Sequence, residues 1–187
     1  MPLMPFEISI CGIEELAPFS TRGVTHLLSV LDPDHPEPES LALLAPARRL
    51  QLRFHDVIDT MPGQVMVEIE QVRQVLEFGR DLPVEHGHLL VHCHAGISRS
   101  TAFTILLLAQ ALPDVPADEI VAEVVRIRSK TWPNLRIIEI GDALLGRKGT
   151  LVAAVRARHA AYARQVPRFV QLMKDLGRAR EVEGLIV

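Results

Sequence analysis

The sequence predicts an α/β fold: a mostly parallel central sheet flanked by helices, with a helical C-terminal third. Two observations point there. In the first two thirds, short apolar runs of strand character alternate with segments of helical spacing, the order produced when parallel strands are joined by crossover helices. Beyond residue 117 only helical spacing remains. An apolar fraction of 48% and a charged fraction of 23% are ordinary globular usage, which excludes a disordered, fibrous or disulfide-scaffold chain. A single domain over 1–187 is expected, with an α/β core at about 6–130 and a helical C-terminal extension at about 131–187.

Residues 6–13 alternate apolar with small or polar side chains, and 24–31 carries Leu27, Leu28, Val30 and Leu31, so both read as strands. Pro33, Pro36 and Pro38 make 32–39 a loop, and a short helix is expected at 40–47. Residues 49–54 read as a third strand, running into a loop with His55, Asp56 and the breakers Met61, Pro62 and Gly63. Val65, Ile69, Val72 and Leu76 recur at helical spacing and predict a helix over 65–82, broken by Pro83 and Gly87. The run 88–93 is short and apolar enough for a buried parallel strand, and 98–112 is apolar enough for a central helix. Helices follow at 117–129, at 134–145, and from Leu151 onward with an interruption at Pro167.

A net charge of −3 with no long run of one sign lacks the basic stripe of a nucleic-acid binder, so no nucleic-acid partner is expected. Residues 1–6 lack a signal-peptide pattern and no apolar run suffices for a transmembrane segment, which leaves the cytoplasm as the expected location. Cys11 and Cys93 are too far apart in sequence for metal-ligand spacing or a disulfide framework.

The stretch His92, Cys93, His94, Ala95, Gly96, Ile97, Ser98, Arg99, Ser100 lies between an apolar strand and an apolar helix. A strand-to-helix loop leaves its first backbone N–H groups without intrahelical partners, and with the helix dipole they form an anion site. Gly96 lets the backbone turn inward, so that amides from His94 to Arg99 converge on one dianion. The same amides and Arg99 favour a thiolate at Cys93. A cation in the first turn opposes the macrodipole unless an anion is present, and the guanidinium of Arg99 matches two phosphoryl oxygens. The Ser100 hydroxyl is placed to donate to the sulfur, and the His92 ring to tie the loop to neighbouring backbone. A Cys with Arg six residues on is weak evidence, expected in roughly one chain in ten. The full context is rarer, on the order of one in ten thousand.

Transfer of a phosphoryl group to Cys93 needs an acid for the leaving oxygen. Asp56 is the leading candidate because it follows a strand of the same sheet at the same C-terminal edge; Asp59 is the alternative, and either could instead be a turn-forming aspartate. His55 reads as a packing or capping residue. Cys11 reads as a small buried hydrophobe, with an oxidation guard for Cys93 as the alternative. Asp142 reads as a satisfied structural acid, and His159 and Tyr162 as core.

The run from His92 to Ser100, with Asp56 upstream, resembles the protein tyrosine and dual-specificity phosphatase superfamily, in particular small bacterial proteins predicted to be tyrosine phosphatases. The resemblance implies a phosphotyrosine phosphatase-like fold with Cys93 as nucleophile. It implies phosphate binding by Arg99 and the amides of His94, Ala95, Gly96, Ile97 and Ser98, thiolate support from Ser100, and Asp56 as general acid. It implies no metal and no organic cofactor, and a phosphorylated protein or small phosphomonoester as substrate. Motif-level likeness spans about 50–112. The stretch Trp132, Pro133, Asn134 through Gly146 also looks like the small bacterial members, without assignable chemistry. A non-catalytic phosphate-recognition module is the second function class. Phosphoinositide or nucleotide phosphatases would want loop lysines, absent here although His94 can carry charge, and arsenate reduction would want resolving cysteines.

Overall fold

The computed structural model describes residues 2–44, 46, 48–82 and 86–185. Strands β1 (Glu7–Cys11), β2 (His26–Leu31), β3 (Arg48–Arg53) and β4 (His88–His92) form one sheet in the order β1-β4-β2-β3, with every neighbouring pair parallel. β2 and β4 lie inside the sheet and all their residues are buried, which is why they read as nearly continuous apolar runs. The edge strands expose Glu7, Arg48 and Arg49 at their starts. The first strand is shorter than expected: Gly12 ends it by donating its N–H to Glu15 Oε2 at 2.7 Å, opening a 3₁₀ turn over Ile13–Glu15.

The helices are α1 (Glu39–Ala42), α2 (Ile69–Arg80), α3 (Arg99–Ala111), α4 (Ala117–Ile127), α5 (Leu135–Leu144), α6 (Thr150–Gln165) and α7 (Arg168–Asp175). α1 covers only part of the expected 40–47, of which Ala45 and Ala47 lie outside the described residues, as does Pro83. α2 begins four residues later than its apolar spacing predicts. Extended Glu68 donates its N–H to Gln71 Oε1 at 3.0 Å and starts the helix there, so Val65 and Ile69 are exposed and the buried face is Val72, Val75, Leu76 and Phe78. Pro167 splits the C-terminal helix in two and caps α7.

One face of the sheet carries the main core, in which α3 is buried from Arg99 to Ala109 and to which α5 and α6 add Ile137, Ile138, Leu151 and Val155. The other face carries a smaller cluster of Cys11, Leu16, Phe19, Leu27, Leu41, Leu44 and Leu90. Asp142 is a satisfied structural acid: its carboxylate accepts from Gly149 N–H (2.6 Å) and Leu151 N–H (2.8 Å) at the start of α6. His159 is fully buried, stacks on Trp132 with ring centroids 4.0 Å apart, and donates from Nε2 to the Pro133 carbonyl at 3.0 Å.

Burial pushes His92 down to about 4 and His159 down to about 3, so both are neutral in the fold at physiological pH. The unfolded chain protonates them below pH ~6.5. Between the unfolded and folded values the unfolded state binds more protons, so this stability is full above the unfolded value and is lost as pH falls toward the folded one. His159→Gln keeps a donor for the Pro133 carbonyl. Urea unfolding as a function of pH should show about one proton less uptake in this variant than in wild type between pH ~6.5 and ~4.

Candidate active site

All four strand ends meet at the C-terminal edge of the sheet, where open parallel sheets gather their functional groups. β4 leads into the loop from Cys93 to Ser98. The carbonyls of residues 94–98 are each tied to surrounding scaffold. The His94 carbonyl accepts from Ile13 N–H at 3.0 Å, those of Ala95 and Gly96 accept from the Arg128 guanidinium at 3.1 Å each, that of Ile97 accepts from Trp132 N–H at 3.0 Å, and that of Ser98 accepts from Ala102 N–H at 3.0 Å. The backbone N–H groups of residues 94–101 donate to no acceptor among the described residues. A peptide plane that sends its C=O outward sends its N–H inward, so the loop presents a run of unpaired donors. Gly96, at φ +68°, makes the reversal possible: a Cβ there would lie 2.5 Å from the Cys11 carbonyl carbon.

Cys93 is buried, with Sγ 3.2 Å from the Ser100 hydroxyl. Arg99, also buried, donates from Nη1 to Asp32 Oδ1 and to the Phe54 carbonyl, both at 2.6 Å. Its buried Nε has no partner among the described residues, so the anchored guanidinium keeps one edge free for a ligand. Asp56 Oδ1 accepts from the Ser98 hydroxyl (2.7 Å) and Asn134 Nδ2 (2.9 Å), and Oδ2 accepts from Arg178 Nη1 at 2.9 Å. Burial pushes this carboxyl up, but the guanidiniums of Arg178 and Arg99, with the Asn134 and Ser98 donors, outweigh it and hold it below the usual carboxylate range.

No family model matches the chain, and no curated protein matches it. Solved structures do. Human DUSP28 superposes over 78% of this chain and 98% of its own at a TM-score of 0.57 and 15% identity. Cydia pomonella PTP-2 phosphatase superposes over 73% and 84% at 0.58 and 17%, and Tk-PTP in its active form over 76% and 92% at 0.53 and 20%. The fold is that of the protein tyrosine and dual-specificity phosphatases.

Within this phosphatase fold, Cys93, His94, Ala95, Ile97, Ser98, Arg99 and Asp56 line one cavity of about 250 Å³. Asp59 does not line it; that side chain pairs with Arg180 at 3.1 Å instead. His92 is buried at the end of β4 with its ring beside the Cys93 backbone; among the described residues neither ring nitrogen reaches full hydrogen-bond geometry, and the loop carbonyls are held by Arg128, Trp132 and Asn134. His94 Nε2 accepts from Asp32 N–H at 3.1 Å, and burial together with Arg99 pushes its pKa down, so it adds no cation at neutral pH. His55 clamps its own loop, accepting at Nδ1 from Val65 N–H at 2.9 Å. Cys11 packs under the opposite face of the sheet from Cys93, and burial pushes its thiol up to about 12, so it is a small core residue.

Sequence reasoning missed four contributors. Asp32 follows β2 at the same sheet edge, a signal the topology rule could have used. Asn134 was read as a helix boundary and as part of the Trp132–Gly146 stretch, with no chemistry assigned to it. Arg128 and Arg178 are 32 and 122 residues from the groups they hold, with no local signature.

Gly96→Ala should cost about 1–3 kcal/mol in urea unfolding, since it forces a Cβ into the Cys11 backbone at a left-handed φ. Orthovanadate binding by the folded variant should fall with it.

Proposed function

We propose that this chain hydrolyses phosphate monoesters through a phosphocysteine at Cys93. The observation that carries the reading is the run of N–H groups from residue 94 to 101, directly after Cys93, that have no acceptor among the described residues while the carbonyls of residues 94–98 are taken up by the scaffold. Unpaired buried donors cost about 1–3 kcal/mol each, a cost that an oxyanion ligand removes.

The chemistry follows from the positions. The loop amides and the free edge of Arg99 hold the phosphoryl oxygens while the Cys93 thiolate attacks phosphorus; as the S–P bond forms, the ester P–O bond breaks and Asp56, as a carboxylic acid, gives its proton to the departing oxygen. In the second step the Asp56 carboxylate takes a proton from water as the new P–O bond forms and the S–P bond breaks. Ser100, 3.2 Å from the sulfur, donates to the leaving thiolate. No residue in this scheme requires a metal or organic cofactor.

The cavity above the loop is walled by Ile97, Trp132, Phe169, Leu172, Met173 and Leu176, an apolar surface suited to an aryl group. With no cation in residues 94–98 and a neutral His94, a singly phosphorylated phosphotyrosine-type substrate fits better than a phosphoinositide, although the fold is shared by PTPMT1, solved in complex with PI(5)P at a TM-score of 0.52. We read 1–187 as one phosphatase domain acting on a phosphorylated protein, and on sequence grounds place it in the cytoplasm. Among the described residues no helix is long and apolar enough to cross a membrane.

A binding module remains the second reading, because the same fold occurs in the human tyrosine phosphatase-like serine/threonine/tyrosine-interacting protein (TM-score 0.52, 22% identity). Metal-free turnover of p-nitrophenyl phosphate and a phosphotyrosine peptide separates the two. Cys93→Ser should abolish turnover and Asp56→Ala should lower kcat by about 10²–10⁴ on the peptide. Folded, reduced wild type that binds phosphate without turnover would establish the binding module.

A further inference from the structure

The C-terminal turn reaches back across the chain to the loop that carries Asp56. Gly177, at φ +71°, packs so closely on Met61 that a Cβ would lie 2.8 Å from its sulfur. Arg178 pairs with Asp56, while Arg180 pairs with Asp59 and donates to the Ile58 carbonyl at 3.3 Å. Arg178 is itself fixed: Nε and Nη2 donate to the buried Glu181 at 2.9 and 2.8 Å, and Glu181 also accepts from Trp132 Nε1 (2.7 Å) and Leu135 N–H (2.9 Å). The grip on the acid loop is thus built into the core through the chain's one tryptophan.

On the phosphatase reading above, we propose that Arg178 is a positioning residue that sets which leaving groups the site can expel, because it occupies the Asp56 oxygen that has to carry the catalytic proton. Oδ1 already accepts from Ser98 and Asn134, which fills its two lone pairs. A proton on Oδ2 would sit beside a guanidinium held in place by Glu181, so protonation requires Arg178 to move off. While paired, Asp56 is ready to accept a proton from water but poorly placed to donate one. Esters whose oxygen departs without help are favoured over those that need full protonation.

Several other groups face this carboxylate or its cavity. Arg99 lies at the start of α3 and Cys93 at the head of the loop, while Glu181 reaches Asp56 only through Arg178. His94 lies in the phosphate loop and Asp32 at the end of β2. His55 lies on Asp56's own loop, and Asp175 at the end of α7. Among the described residues only Arg178 bonds Oδ2.

Removing Arg178 alone would strand buried Glu181, so the test variant is Arg178→Met with Glu181→Gln. Its kcat/KM for phenyl phosphate at pH 7 should rise about five-fold, with p-nitrophenyl phosphate changing less than about two-fold, because only the poorer leaving group depends on protonated Asp56. In a Cys93→Ser background, the Asp56 carboxyl carbon followed by NMR should titrate at higher pH in the variant than in its parent. Glu181→Gln alone leaves Arg178 without its counter-charge and should shift both readouts the opposite way, which keeps the test open if the double variant loses its Trp132 emission and unfolds. Equal losses on both esters with an unmoved Asp56 titration would show that Arg178 only braces the fold. Absence of turnover in every protein would sink the phosphatase reading, while the titration would still decide what Arg178 does to Asp56.

Discussion

A short loop whose carbonyls from residue 94 to 98 are all taken up by the scaffold, while its N–H groups have no acceptor among the described residues, is the constraint on which the rest of the structure depends. Chains avoid such arrangements, because each N–H turned into a cavity without an acceptor costs about 1–3 kcal/mol. Here the opposite ends of the same peptides are held by four separate pieces of scaffold: the turn after β1, Arg128 at the end of α4, the Trp132–Asn134 segment and the first turn of α3. Arg128 is held in turn by Glu15, which caps the 3₁₀ turn that Gly12 opens. A Cβ at Gly12 would lie 2.9 Å from the His94 carbonyl, so this contact and that of Gly96 on Cys11 are two sides of one close approach between β1 and the loop.

Charge is arranged around the cavity in alternation. Asp32 holds Arg99, Arg99 and Arg178 both act on Asp56, and Glu181 holds Arg178. Buried charges are tolerated only when paired, and each of these is. Pairing also restrains side chains that would otherwise sample many rotamers, so the guanidinium edge of Arg99 is oriented before any ligand arrives. On the proposed function, an entering dianion would meet anchored donors rather than mobile ones, the condition under which electrostatic stabilisation is strongest.

The Trp132, Pro133, Asn134 stretch, which carried no assignable chemistry in the sequence, connects these two systems. Its backbone fixes the Ile97 and Ser98 carbonyls, the Asn134 side chain caps α5 and reaches Asp56, and the Trp132 indole binds Glu181 and stacks on His159. The Cys93–Ser100 loop, Asp56 and the C-terminal turn therefore share one support, and α7 adds Phe169, Leu172 and Met173 to the wall of the cavity that Cys93 lines.

The parallel sheet, the central helix and the Cys93–Ser100 loop were legible in the sequence because each is determined locally. A buried parallel strand must be apolar along its length, a strand-to-helix loop must leave amides unpaired, and a left-handed turn selects glycine. Asp56 was legible for a related reason, since strand order in a parallel sheet brings the loops after its strands to one edge. The start of α2 was misplaced because Glu68 and Gln71 define the helix end more strongly than the apolar spacing from Val65 does. What the tertiary structure alone decided is which distant groups complete the site. Arg178 meets Asp56, and Arg128 meets Ala95 and Gly96, across separations at which no periodicity or capping pattern couples residues; only the packing of α4 and of the C-terminal turn onto the sheet edge brings those charges within hydrogen-bond reach.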